Sequence, residues 1–145
     1  MTPRRHFLAL LAAAVPVAAR AQTGPQPELP KEPLVIVTHD GKHHPFKVEM
    51  ALTPEQQTVG LMFRPVVPAD GGMLFDWGAA RSSQMWMRNT VASLDMLFIN
   101  GDGTIRRIAE NTEPLSEKTI ASGGPVRGVL EVIGGTAKKL GIAPG

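Results

Sequence analysis

The chain has 145 residues, 15 basic and 13 acidic side chains, and no cysteine. Without cysteine there is no disulfide stapling, thiol catalysis or thiolate metal site. The length suits one hydrophobic core and not two ordinary domains.

The first residues are Met1-Thr2-Pro3-Arg4-Arg5-His6-Phe7-Leu8, followed by an alanine-rich apolar run that ends in Ala19-Arg20-Ala21. A basic start, an apolar stretch and a small-x-small site are the three parts of a secretory signal. Residues 1–21 are therefore predicted to be a cleavable export signal. The run is too short to span a bilayer, which takes about 20 apolar residues, and Pro16 breaks it. Arg4-Arg5-x-Phe7-Leu8 resembles a twin-arginine signal, with Pro3 and Ala9 departing from that pattern.

Cleavage after Ala21 removes Arg4, Arg5 and Arg20, leaving 12 basic residues against 13 acidic ones and a net charge of −1. Such a chain offers no basic excess to nucleic acid or an anionic membrane. The mature protein is expected to be periplasmic or secreted, without a transmembrane segment.

Residues 22–33 read as a tether. Pro25, Pro27, Pro30 and Pro33 favour extended backbone, and apolar residues are nearly absent. A single β-rich domain is expected over residues 34–145. Leu34-Val35-Ile36-Val37 suits a central strand. After the Asp40-Gly41 turn, Phe46, Val48, Met50 and Leu52 alternate with Lys47, Glu49 and Ala51, the pattern of a half-buried strand. Thr53-Pro54-Glu55-Gln56 is a helix start, with Thr53 as cap, Pro54 in the first turn and Gln56 as capping-box partner. Val59 and Met62, with Leu61 or Phe63, would form the buried face of a short helix ending by Pro65.

Further strands are expected at residues 73–75, 84–87, 96–99, 104–109 and 126–133. Asn100-Gly101-Asp102-Gly103 signals a hairpin turn. Residues 136–140, between Gly135 and Gly141, suit a last helical turn. The pattern predicts an α+β, mostly β fold. Its antiparallel sheet would curl into a small barrel or compact sandwich with one or two short helices.

Five motifs occur in order: Gly60-Leu61-Met62-x-Arg64, Gly72-Met73-Leu74-Phe75, Trp86-Met87-x-Asn89-Thr90, Leu94-Asp95-x-x-Phe98 and Val129-Leu130-Glu131-Val132. Together they resemble the domain of unknown function 192 family over residues 35–142. The resemblance implies a compact β-rich fold with a short helix after the second strand. It implies no activity. Several relatives carry a cysteine pair within the segment corresponding to residues 113–123, which is absent here, so no redox role carries over.

Two carboxylates stand in apolar runs, Asp95 beside Leu94 and Met96, and Glu131 between Leu130 and Val132. A buried carboxylate is either paired or has a raised pKa suited to proton transfer. Asp95 and Glu131 are thus candidate catalytic residues of an envelope carbohydrate hydrolase or lyase. Pairing with Arg64, Arg88 or backbone amides would instead make them structural.

Trp86-Met87-Arg88-Asn89-Thr90 is a second constellation. On a strand, Trp86 and Arg88 share one face, while Met87 and Asn89 share the other. A Trp face, an Asn amide and an Arg fork suit a sugar or a carboxylate. In the structural alternative, Trp86 is core and Asn89-Thr90 is a turn.

His39, His43 and His44, near Asp40, are candidates for a copper or zinc site, with methionines at 50, 62, 73, 85, 87 and 96 as thioether donors. Gap filling on apolar faces is the ordinary role of such methionines. The expectation is an exported cell-envelope protein, a small ligand-binding or accessory domain that uses no cofactor. Its ligand, a small molecule or glycan, would meet Arg64, Trp86, Arg88, Asn89 and Asp95.

Overall fold

The computed structural model describes residues 21–145. The predicted export signal, Ala21 apart, lies outside the described residues. Six strands and two short helices follow in the order β1 (Lys31–Val37), β2 (His43–Ala51), α1 (Pro54–Val59), β3 (Met73–Met85), β4 (Leu94–Ile99), β5 (Ile105–Ala109), β6 (Ile120–Ile133) and α2 (Thr136–Leu140). Among the described residues, no helix is long and apolar enough to cross a membrane.

The strands form one sheet in the order β1-β2-β3-β6-β4-β5. Local hairpins join β1 to β2 and β4 to β5, each antiparallel. β3 runs parallel to β2, because the chain crosses back through α1 before pairing. The expected antiparallel sheet is therefore mixed. It is also not a closed barrel, since β1 and β5 end the sheet without pairing to each other.

The sheet is buried on both faces. Met73, Phe75, Met96, Phe98 and Val129 pack on one side. Phe46, Val48, Leu97, Leu130 and Val132 pack on the other. Two-sided burial explains why β4 and the end of β6 read as continuous apolar runs rather than alternating ones. It also changes the expectation for β2. Leu52 is exposed, whereas Glu49 and Ala51 are buried, because the second face of β2 is covered too.

Helix α1 begins as the sequence predicts. The Thr53 hydroxyl accepts from the Gln56 N–H at 3.2 Å, and the Gln56 side-chain oxygen accepts from the Thr53 N–H at 3.2 Å. Thr53→Ala is expected to cost about 1 kcal/mol, read as a lower midpoint in urea unfolding. The helix is shorter than predicted and buries no residue of its own. It stops at Gly60, and the turn that follows buries Leu61 and Met62.

β3 and β6 are longer than their apolar runs suggested, because complementary bulges carry the pairing past their glycines. Between Asp76↔Gly128 and Arg81↔Val126, residues 77–80 of β3 oppose Arg127 alone. Between Ser82↔Pro125 and Gln84↔Ala121, residues 122–124 of β6 oppose Ser83 alone. Gly78 (φ 77°) and Gly123 (φ 73°) supply left-handed backbone for these bulges. The first bulge is anchored by Asp76, which accepts from Arg127 Nε at 2.8 Å and from the Gly78 N–H at 2.8 Å. The Arg127 hydrogen bond, then the Gly78 one, holds the Asp76 carboxyl below the usual carboxylate range.

Of residues 22–33, expected as a tether, 31–33 pair in β1 and 26–30 lie along the domain. Gln26 Nε2 donates to the carbonyls of Gln56 (3.1 Å) and Gly60 (2.9 Å), and the Leu29 N–H donates to Glu49 Oε1 at 2.8 Å. β1 accordingly starts ahead of Leu34.

Candidate functional site

A cleft of about 360 Å3 opens between α1 with its following turn and the outer part of β3. One wall carries Gln57, Thr58 and Met62, and the other carries Trp77, Arg81, Gln84, Trp86 and Arg88. Glu131 lies at the base.

Glu131 stands on the central strand β6. Its register partners are Met73 on β3 and Met96 on β4, so apolar side chains flank it on the same face. Gly72 and Gly128 let the neighbouring strands close in, since a Cβ at either would overlap the carbonyl of Glu131 or Phe75. Glu131 is 4% exposed. Burial alone pushes its carboxyl up to about 8, with no hydrogen bond or neighbouring charge contributing among the described residues. At neutral pH it is therefore a neutral acid with one O–H donor and one carbonyl acceptor.

The aromatic wall is built by the first bulge and by the segment after β3. The Trp77 ring lies 6.0 Å from Phe75, and the Arg81 guanidinium sits 4.2 Å over it. The Trp77 indole N–H is buried without an acceptor. Trp86 is 43% exposed, with the Arg88 guanidinium 5.3 Å from its ring centre. Arg88 Nε also lies 3.6 Å from Glu117, a loose pair at the surface. Two indole–guanidinium stacks thus edge a cleft whose base is an uncharged carboxyl.

The structure brings Trp86, Arg88 and Glu131 together and places the other predicted residues elsewhere. Arg64 pairs with Glu49 at 2.5 Å and donates to the Gln26 carbonyl at 3.3 Å, so it fastens the N-terminal segment. Asn89 adopts left-handed backbone (φ 54°), and its carbonyl accepts from the Phe63 N–H at 2.8 Å. That bond latches the turn after α1 to the β3–β4 connection and holds the Met62 wall.

Asp95 is fully buried and accepts from three backbone N–H groups: Asn111 at 2.8 Å, Gly135 at 3.2 Å and Ala137 at 2.9 Å. Asp95 opposes Val132, and Met96 opposes Glu131, so the two carboxyls project from opposite faces of the sheet. The candidate acid–base pair of Asp95 and Glu131 is thereby corrected: the sheet lies between them.

The histidines do not converge either. His43 and His44 are consecutive on β2 and point to opposite sides. His44 Nε2 lies 3.1 Å from the Thr38 hydroxyl, and His39 Nε2 lies 3.1 Å from the Pro144 carbonyl. Among the described residues, no three His, Asp or Glu side chains are grouped as metal ligands. Met73, Met87 and Met96 fill the core.

Trp77, Arg81, Gln57 and Gln84 also line the cleft, and no sequence motif marks them. The signal for Trp77 was its period-two spacing from Phe75, which the small residues Gly78, Ala79 and Ala80 interrupt.

A small mixed sheet, covered on both faces and crossed by one short helix over an aromatic cleft, defines the class of fold. The chain belongs to the domain of unknown function 192 (DUF192) family, described as Uncharacterized ACR, whose match spans residues 35–145. A crystal structure from Sinorhizobium meliloti 1021, of a protein provisionally described as a transcription regulator, is similar. It shares 46% identity over 86% of this chain and 94% of that one, with a TM-score of 0.78. A protein of unknown function from Novosphingobium aromaticivorans DSM 12444 is 38% identical over 88% of this chain and 91% of its own, with a TM-score of 0.79. Among curated proteins, none matches.

Proposed function

We propose that the protein is exported and serves in the cell envelope as a small ligand-binding domain, with a glycan unit seated in the cleft. The observation that carries this reading is Glu131, a residue more than nine-tenths buried whose carboxyl makes no hydrogen bond among the described residues and lines a cleft edged by Trp86 and Arg88. A carboxyl held in apolar surroundings and open only toward a cleft is free to bond a molecule seated there. An exposed indole offers a face to the C–H surface of a sugar ring, and the arginine edges and glutamine amides offer donors to its oxygens.

The hydrolase or lyase alternative is less well supported. Glycoside hydrolysis ordinarily uses two carboxyl groups flanking one bond, and Glu131 is the carboxylate lining this cleft. The transcriptional role ascribed to the Sinorhizobium relative calls for a basic surface, whereas the chain after Ala21 has a net charge of −1.

The test is a glycan array probed with the labelled protein recovered from the periplasm, its intact mass establishing whether it begins at Gln22. Wild type is expected to mark a subset of sugars. Trp86→Ala should lose that signal while its stability changes by no more than about 0.5 kcal/mol, as for a surface substitution. Equal binding by both proteins, or none by either, would sink the reading.

A further inference from the structure

We infer that the ligand of this cleft is a carboxylate-bearing sugar unit, with its acid group on Arg81 and a hydroxyl or ring oxygen against Glu131. This rests on the binding role proposed above and names the ligand class.

Arg81 is the first observation. Among the described residues, Arg64, Arg88 and Arg127 each face a carboxylate. Arg106 and Arg107 donate to the carbonyls of Gly123 and Ala121. Arg81 has neither kind of acceptor. It is nevertheless oriented, because its guanidinium lies 4.2 Å over the Trp77 ring. Stacking fixes the plane and leaves the N–H edge free, the geometry that meets a carboxylate with two parallel hydrogen bonds. The buried Trp77 N–H, also without an acceptor, belongs to the same wall.

Glu131 is the second observation, independent of the first. The residue is more than nine-tenths buried, its carboxyl makes no hydrogen bond among the described residues, and it lines the cleft. A neutral carboxyl offers one donor and one acceptor, which matches a sugar hydroxyl. Glu131 lies on the central strand β6, whereas Arg81 stands on the outer part of β3. A single small anion would not touch both, whereas a molecule of sugar-ring span would.

The charged side chains lining the cleft are Arg81, Arg88 and Glu131. From the packed elements, Met73 on β3, Met96 on β4, and Gln57 and Thr58 on α1 contribute no charge. Ionising Glu131 would therefore add a negative charge beneath an acidic ligand and remove the donor.

Isothermal titration with a galacturonic acid tetramer and with the neutral galactose tetramer tests this at about pH 6 and about pH 9, on either side of the Glu131 transition. The acidic tetramer is expected to bind at least about tenfold more tightly at the lower pH, the worth of one charge-assisted hydrogen bond. Arg81→Gln should erase that preference, and Arg81→Lys should retain part of it. Wild type should weaken toward the acidic tetramer at the higher pH, whereas Glu131→Gln should bind it equally at both. Equal affinity for the two tetramers, or an unchanged preference in Arg81→Gln, overturns the acidic class and leaves the binding role standing. Binding of neither tetramer, together with a blank glycan array, overturns both.

Discussion

Replacing Asp95 with alanine is expected to remove about 3–5 kcal/mol of stability, the scale for leaving several buried N–H donors without their shared acceptor. Asp95 ties together parts of the chain that no strand pairing joins. Its two oxygens take the N–H of Asn111 after β5, of Gly135 in the turn after β6, and of Ala137 in the first turn of α2. Alanine would leave three donors without acceptors, each costing about 1–3 kcal/mol when buried. Against a typical total of about 5–15 kcal/mol, that loss brings the domain close to unfolding. Asp95→Asn should also be destabilised, because its amide group would meet N–H donors with an N–H of its own. Urea unfolding followed by far-UV circular dichroism measures both. A loss below about 1 kcal/mol for alanine would mean that the three amides find other acceptors and that Asp95 does not organise the C-terminal turn.

Glu131→Gln should have the opposite effect and a distinctive pH dependence. The Glu131 carboxyl is raised from 4.5 to about 8 by burial, whereas in the unfolded chain it titrates normally. Between those values the folded protein holds a proton that the unfolded chain has released. Stability must therefore fall as pH rises through that window, by up to about 1.4 kcal/mol per pH unit, and level off above it. Below the window Glu131 is protonated in both states and the penalty vanishes. Glutamine has the same shape and no charge to lose, so the variant should show no such slope and should be more stable than wild type by several kcal/mol at about pH 9. Asp76, whose carboxyl is held low by Arg127, acts at the acid end and does not blur the comparison. Melting temperatures from about pH 5 to about pH 9 decide it. Parallel curves for the two proteins would mean that Glu131 finds water or a partner on ionising.

The sequence revealed most where the physics is local. The Thr53-Pro54-x-Gln56 cap, the turn between β4 and β5 and the short helix after the second strand follow from side chains within a few residues of one another. Strand order is a long-range property, and the parallel pairing of β2 with β3 left no mark in either segment. The same holds for the faces of Asp95 and Glu131. In strands buried on both sides the apolar run is continuous, so nothing shows which side a lone carboxylate takes. Trp86 and Arg88 both line the cleft, although they follow the end of β3 and so owe their placement to the turn after it rather than to strand alternation. Trp77 and Arg81 were hidden because the bulge between them breaks the period on which such reasoning depends. Arg64 and Asn89 look like ligand residues in a linear motif, yet Glu49 and Phe63, which engage them, are distant in the chain.

The position of β6 in the sheet bears on how the protein is made. β1, β2 and β3 form one side and β4 and β5 the other, and only β6 lies between them. During synthesis the last strand to emerge from the ribosome is thus the one that joins the two halves. Until residues 120–133 are available, neither half can bury its apolar faces against the other. The two halves of the sheet stay unjoined until β6 has been made, so the fold is committed at its central strand.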